Sequence, residues 1–529
     1  MKRHRHIPLS GLTAVLTALA LLMGCSLPQG GTVSGTGGTD PLLSSPEDRE
    51  LQVPEAGAPV QRIQGAWYSS ATGGEIREEI AFCDDWFSAG PAVANPELAL
   101  CSMQIEAACG STSGGASLLT ELGFARVNAL HYTEGSFDRC AYTAGEKDIA
   151  PGGTPCTLRA VFVQGTRYDE TGWEQNVLTN GDITAPSHWG YTRAVEQLLE
   201  EQASEDSGPV IWWIVGYSRG AGIANLFAAR LAEQGQTVFG YTFAAPAVTD
   251  GDPAAGGPLY AGIHNYLCDD DPVPMVPLWG MVRYGQDHSL SILSPEEVAQ
   301  ALAEQNPAAY DAVGQHYDGM WTVTYGSDGT VTGGELLGDF LRRKLTALEA
   351  AVPTRESYSA LRTDVYTLED GDGEILWSPQ DAMVCLVRMV YFSAPLPFDS
   401  TQAAAPLLRE LICGELEAAL AAETGDEALA AAAAGRRWQL AKSLQAELGG
   451  RGVTPEGIYG LIVLLSPLLI RSEDIVSAGA LPELDDMTPA ELLIRYAPEA
   501  LNFLSSGDEL VFSHHTDTLI LRLHLLCRD

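Results

Sequence analysis

Positive charge is scarce in this 529-residue chain: 30 Lys and Arg stand against 69 Asp and Glu, a formal net charge of −39. So acidic a surface repels phosphate backbones and anionic headgroups alike, which excludes nucleic acid as a partner and membrane attachment by electrostatics. Metal-ligand patterns are missing as well. Neither His-Glu-x-x-His nor a spaced Cys/His cluster occurs, so no metal and no cofactor is implied. The acidic stretch Leu368 to Ile375 resembles a calcium loop, but Ile375 stands where such a loop needs glycine, and the segment reads as a hairpin. There is no Cys-x-x-Cys, and the nine cysteines beyond Cys25 cannot all pair within a monomer. Cys140 and Cys156 bracket a Gly/Pro loop that a disulfide could close, although buried free thiols fit equally well. Apolar runs long enough to span a bilayer are lacking too: Leu9 to Met23 and Ile458 to Ile470 are both too short. No internal repeat of about 20 to 50 residues is evident.

What is present begins with 46% hydrophobic residues, ample for a large core. Lys2, Arg3 and Arg5 precede the first apolar run, which ends in Leu22-Met23-Gly24-Cys25. This resembles a bacterial lipoprotein signal, residues 1–24, with cleavage before Cys25 and lipid on its sulfur. It implies a protein anchored by lipid to the extracytoplasmic side of a bacterial cell membrane. Residues 25–60 are rich in Gly, Ser, Thr and Pro and read as a tether with a reach of roughly 30 to 35 Å.

Residues 61–290 alternate between strand and helix signals. Thr157 to Val163, Val210 to Val215, Thr237 to Phe243 and Leu259 to Leu267 read as strands, and Tyr191 to Glu201 and Ala221 to Leu231 as helices. Such alternation predicts an α/β fold with a largely parallel sheet covered on both faces. Asn95-Pro96-Glu97 opens a further helix, and Gly123 stops the one containing Leu118 to Leu122. Residues 291–505 read as a mainly helical insertion or cap. Within it Ser294-Pro295-Glu296-Glu297 and Thr488-Pro489-Ala490-Glu491 fit capping boxes, residues 416–449 are alanine-rich with Gly425 and Gly435 as interruptions, and Ile458 to Ile470 is core. Residues 506–529 return to the first unit.

Gly216-Tyr217-Ser218-Arg219-Gly220 joins a buried strand to a small-residue helix, the make-up of a nucleophile elbow. A serine hydroxyl needs an imidazole to take its proton and a carboxylate to orient that imidazole. Asp269, Asp270 and Asp271 follow a predicted strand, and any of them could be the acid. His288, His316, His514 and His515 all follow the acid loop as candidates for the base.

The stretch from Thr157 to Pro277 resembles the class 3 lipase family, the fungal-type triacylglycerol lipases and their bacterial relatives, which are α/β-hydrolases. Val161-Phe162-Val163-Gln164-Gly165-Thr166 is similar to the family's oxyanion strand, and His188-Trp189-Gly190-Tyr191 to its His-x-Gly-Phe segment. The elbow is followed by Tyr241-Thr242-Phe243-Ala244-Ala245-Pro246, similar to Thr-Phe-Gly-x-Pro, and by Asp271-Pro272-Val273-Pro274, similar to Asp-x-Val-Pro. The resemblance singles out Asp271 as the acid. It implies an oxyanion hole from Thr166 and the backbone N–H of Arg219, a lid helix near Tyr168 to Leu178 carrying Trp173, and a base near the chain's end, which favours His514 over His316. It departs from the family's compact pattern in the more than 200 residues between acid and base. The expected protein is an α/β-hydrolase with a mostly parallel central sheet and a large, mainly helical insertion. Its expected activity is cleavage of carboxylic esters, with an acyl ester or lipid as substrate. Acyl transfer, thioester cleavage and a non-catalytic binding module on the same fold are the alternatives.

Overall fold

The computed structural model describes residues 59–69, 74–110, 114–130, 140–165, 187, 189–202, 208–249, 251, 253–271, 273–275, 281–291, 321–325, 331–336, parts of 340–347, 401–447, 455–500 and 512–527. Cys25, Thr166, residues 168–178, His188, His316 and the segments 294–297 and 368–375 lie outside the described residues.

Two strands, β1 (Gln61–Tyr68) and β2 (Glu75–Phe82), pair antiparallel and lead into α1 (Pro96–Cys109) and α2 (Gly114–Glu121). Asn95 starts α1 as expected: its side chain accepts from the N–H groups of Glu97 (3.0 Å) and Leu98 (3.2 Å), with Pro96 at the first helical position. Gly123, at φ 87°, follows the end of α2. Then comes the main sheet, seven strands side by side in chain order: β3 (Ala125–Leu130), β4 (Tyr142–Ile149), β5 (Cys156–Val163), β6 (Val210–Tyr217), β7 (Thr237–Phe243), β8 (Ile263–Cys268) and β9 (Gln286–Leu290). β3 to β5 pair antiparallel, and β5 to β9 are parallel. The strand expected from Leu259 begins only at Ile263, because Gly257 at φ 55° and Pro258 hold residues 253–260 in 3-10 turns.

Parallel neighbours need crossovers, and α3 (Trp189–Glu201) and α4 (Arg219–Glu233) supply those between β5 and β6 and between β6 and β7. Because the strands advance in one direction, right-handed crossovers put both helices on one face. There Trp212 and Ile214 of β6 pack among Tyr191, Leu198, Ile223 and Phe227. Successive strand residues point to opposite faces, so Trp213 and Val215 enter a second core with Phe82, Leu98, Met103 and Phe162. That core is closed by β1, β2, α1 and the last helix, α10 (Thr516–Leu526), whose Leu519, Ile520 and Leu523 are buried in it. Buried on both faces, the central strands β6 and β7 carry no charged residue and are mostly apolar. This is the α/β-hydrolase arrangement, with a mostly parallel central sheet.

Between β9 and α10 in the chain, the described residues include an antiparallel pair, β10 (Trp321–Tyr325) and β11 (Val331–Leu336), and the helices α5 (Thr401–Thr424), α6 (Glu427–Glu447), α7 (Pro455–Leu469), α8 (Glu473–Ala478) and α9 (Pro489–Tyr496). α5 ends at Gly425, φ 70°, and α6 turns back along it, with Arg436 bonded to Glu417 and Glu410 and Arg437 to Glu415. Gly435 interrupts nothing: it lies inside α6, where good helix formers around it outweigh its own cost of about 1 kcal/mol. The capping box at Thr488 and Glu491 is present, and Ile458, Ile462, Leu465 and Leu469 of α7 are buried. Cys140 and Cys156 are buried free thiols.

Candidate active site

Ser218 stands between the last residue of β6 and the first of α4 with φ 54° and ψ −127°, a conformation L-residues avoid. Its N–H continues the ladder by donating to the Phe243 carbonyl at 2.9 Å, while its own carbonyl accepts from the N–H groups of Ala221 and Gly222. The chain passes from strand to helix with no spare residue, so its neighbours must be small. A Cβ on Gly216 would lie 2.7 Å from that of Ala224, and one on Gly220 would collide with the carbonyl oxygens of Val163 and Gln164. The end of β5 therefore lies against the first turn of α4. Gly165 packs on Tyr217, and Thr166 follows it in the chain, outside the described residues. The Arg219 N–H sits at the N-terminus of α4, where the helix dipole favours negative charge.

At the end of β8 the three aspartates diverge. Asp269 accepts a hydrogen bond from Ser289 on β9. Asp270 takes both arms of the Arg522 guanidinium, at 2.7 and 3.0 Å. Asp271 turns the other way: its Oδ1 accepts from the Val273 N–H at 2.9 Å, and its Oδ2 lies 2.8 Å from His514 Nδ1.

His514 ends a short 3-10 turn, Phe512–His514, just ahead of α10. Its Nε2 is 2.8 Å from Ser218 Oγ. An ionised carboxylate can only accept, so Nδ1 carries the proton toward Asp271 and the Nε2 lone pair receives the Ser218 hydroxyl proton. The loop is pinned from the elbow as well: the Tyr217 hydroxyl donates to the His514 carbonyl at 2.6 Å, and the two rings lie 5.3 Å apart. All three side chains of the relay are buried. Held this way, the imidazole can draw the proton from Ser218 as the oxygen attacks and return it to a departing group, with Asp271 balancing the imidazolium formed in between.

The other candidate histidines among the described residues, His515 and His288, have other places. His515 occupies the position just before α10, with extended backbone. His288, in β9, meets His264 Nδ1 through Nε2 at 3.0 Å, and His264 Nε2 in turn reaches the Pro91 carbonyl at 2.8 Å. Burial, opposed by the Pro91 carbonyl and reinforced by His288, lowers the pKa of His264; burial, opposed by Asp287, lowers that of His288. Sequence reasoning did not anticipate Tyr217, Ser513 or Arg522 at this site, and it weighed Asp270 only as an alternative acid. The signal for Asp270 lay in the run of three aspartates, while Arg522 carries no motif that ties it to the acid loop.

Residues 162–281 match the model of the family described as lipase (class 3), a stretch that contains Ser218 and Asp271 and ends before His514. No curated protein matches the chain. Among solved structures the chain is similar to a triacylglyceride lipase of Rhizomucor miehei, at 16% identity over 31% of this chain and 66% of that one, with a TM-score of 0.21. It thus spans just under two thirds of that lipase. It is also similar to a fungal lipase, at 19% identity over 38% and 82% with a TM-score of 0.27, and to a lipase of Yarrowia lipolytica, at 15% over 38% and 79% with a TM-score of 0.26.

Proposed function

We propose that the protein hydrolyses carboxylic esters, with acyl lipids as the substrate class, through an acyl-enzyme on Ser218. The observation that carries this is the buried relay from Ser218 Oγ through His514 to Asp271, 2.8 Å at each step, at a strained strand-to-helix turn. Ser218 is the nucleophile, His514 the general base and then acid, and Asp271 the group that orients it. The Arg219 N–H and Thr166 are the donors to the oxyanion that forms on the acyl carbonyl. The lipid character of the substrate is supported by the family match over residues 162–281.

The N-terminal pattern ending in Gly24-Cys25 supports attachment by lipid on Cys25 to the extracytoplasmic face of a bacterial membrane. Replacing Cys25 with serine would then release the protein from the membrane fraction, and retention would defeat this part.

A fluorophosphonate probe and a short-chain p-nitrophenyl ester test the catalytic reading together. Wild-type protein labels and turns over, Ser218→Ala does neither, and His514→Ala loses at least about a thousandfold in kcat/KM. A well-folded wild type that neither labels nor hydrolyses would leave a binding module in its place. Full activity in His514→Ala would show that another histidine is the base.

A further inference from the structure

Two loops carry the acid and the base, and they meet twice. Asp271 contacts His514, and one residue earlier on each strand of chain the Ser513 hydroxyl donates to Asp270 Oδ2 at 2.5 Å. Both contacts bridge the same sequence separation of 243 residues. They are adjacent rungs between two segments that local sequence does nothing to align. The second rung is itself held. Arg522, on α10, donates through Nη1 and Nη2 to the two oxygens of Asp270, from Nη2 to Ser513 Oγ at 3.3 Å, and from Nη1 to the Leu290 carbonyl at the end of β9 at 3.2 Å.

We propose that Asp270, Ser513 and Arg522 are positioning residues that fix the register of His514 against Asp271. This rests on the assignment of those two residues as base and acid. A single contact between loops leaves the imidazole free to swing about it. A second contact one residue away removes that freedom, and displacements of about 1 Å at a proton-transfer site can cost as much as a hundredfold in rate.

The arrangement is expensive to bury, and all three side chains are buried. Burial pushes the Asp270 carboxyl up, but the Arg522 guanidinium and the Ser513 hydroxyl more than offset it, so the group is held below the usual carboxylate range and stays an acceptor. Arg522 also offsets the charge of a carboxylate next in sequence to Asp271, which would otherwise add to the pull of Asp271 on the imidazolium.

The test uses the full chain, with kcat expressed per serine titrated by the fluorophosphonate probe so that misfolded protein is not counted. Ser513→Ala, which removes one oxygen, should lower kcat about tenfold at unchanged KM, and Ser513→Thr should restore most of it. Asp270→Asn leaves the Arg522 charge unbalanced, which disfavours the imidazolium and moves the acid limb of the kcat/KM profile to lower pH. If Ser513→Ala keeps its kcat per titrated serine and Asp270→Asn keeps its acid limb in an active background, this proposal fails alone. A wild type without Ser218-dependent hydrolysis would overturn it together with the function it rests on.

Discussion

At the scale of single residues, the backbone of Ser218 is the costliest choice in the site. A non-glycine residue at positive φ gives up of order 1–3 kcal/mol, here at a position that must present a hydroxyl and so cannot be glycine. Ser218→Gly and Ser218→Ala lose the same hydrogen bond to His514 and differ in strain. Relief of about 2 kcal/mol, less about 1 for glycine's freedom in the unfolded chain, should leave the glycine variant more stable by about 1 kcal/mol in urea unfolding. Equal stabilities would mean the elbow stores no strain. The glycines that make room for this backbone, Gly216 and Gly220, are also what made the site legible, because each excludes a Cβ for a steric reason readable from sequence. Order along the chain left three aspartates and four histidines open, and the family resemblance is what singled out Asp271 and favoured His514. The support between their loops was not legible: the fork of Arg522 on Asp270 joins residues 252 apart, and nothing local in the sequence pairs the two.

At the scale of elements, legibility follows periodicity. β5 to β7 are largely apolar, with Arg159 the one charged residue among them, and α1 opens with a cap that names itself. That cap gives a clean expectation: Asn95→Ala leaves two N–H groups without their acceptor and should cost about 1 kcal/mol, whereas Asn95→Asp should keep the stability or raise it. Thermal unfolding of the pair decides, and indifference to alanine would show that Pro96 alone sets the start. β4 went unread because Glu146, Lys147 and Asp148 make it look like a surface segment. Its charges are paired instead, Lys147 with Asp84 at 2.8 Å and Glu146 with Arg159 at 3.1 Å, so the strand is largely buried despite them. β1 and β2 do alternate, with Ile63, Trp67, Ile76 and Ile80 facing in, but an antiparallel pair ahead of a parallel sheet has no place in a simple strand–helix alternation.

The histidine pair across β8 and β9 is a second expectation at this scale. His264 donates from Nε2 to Pro91, and in its neutral form its Nδ1 accepts from His288. The Tyr266 ring stacks on His288, the Tyr241 ring lies tilted against His264, and Asp287 is the charged group acting on His288. Both histidines have pKa values below the ordinary value near 6.5, so the unfolded chain binds more protons as acid is added. Their contribution is complete above about pH 6.5 and is lost as pH falls below it. His288→Phe, which keeps an aromatic ring on Tyr266, should be less stable than wild type at about pH 8 yet lose less on acidification to about pH 5.5. Parallel stability curves would remove the pair from the acid response.

At the scale of the whole molecule, the features that lie far apart in sequence are those the sheet brings together. The final helix covers the face that α1 begins, and it carries Arg522 and follows His514, so closing the second core and completing the relay are one event. That event takes place in a chain with a formal charge of −39, and the compact state concentrates that charge. The Debye length falls from about 30 Å at 10 mM salt to about 8 Å at 150 mM, which shortens repulsion from molecular dimensions to the spacing of neighbouring side chains. Cations bound at specific acidic sites would also stabilise, but they would do so according to their size, whereas screening depends on ionic strength alone. The melting temperature should therefore rise over this range by the same amount in sodium chloride and in tetramethylammonium chloride. A rise with sodium alone would point to bound ions. No rise with either would mean that the ion pairs already formed, such as those of Arg436 and Arg437 with their glutamates, lose to screening as much as the repulsive surface gains.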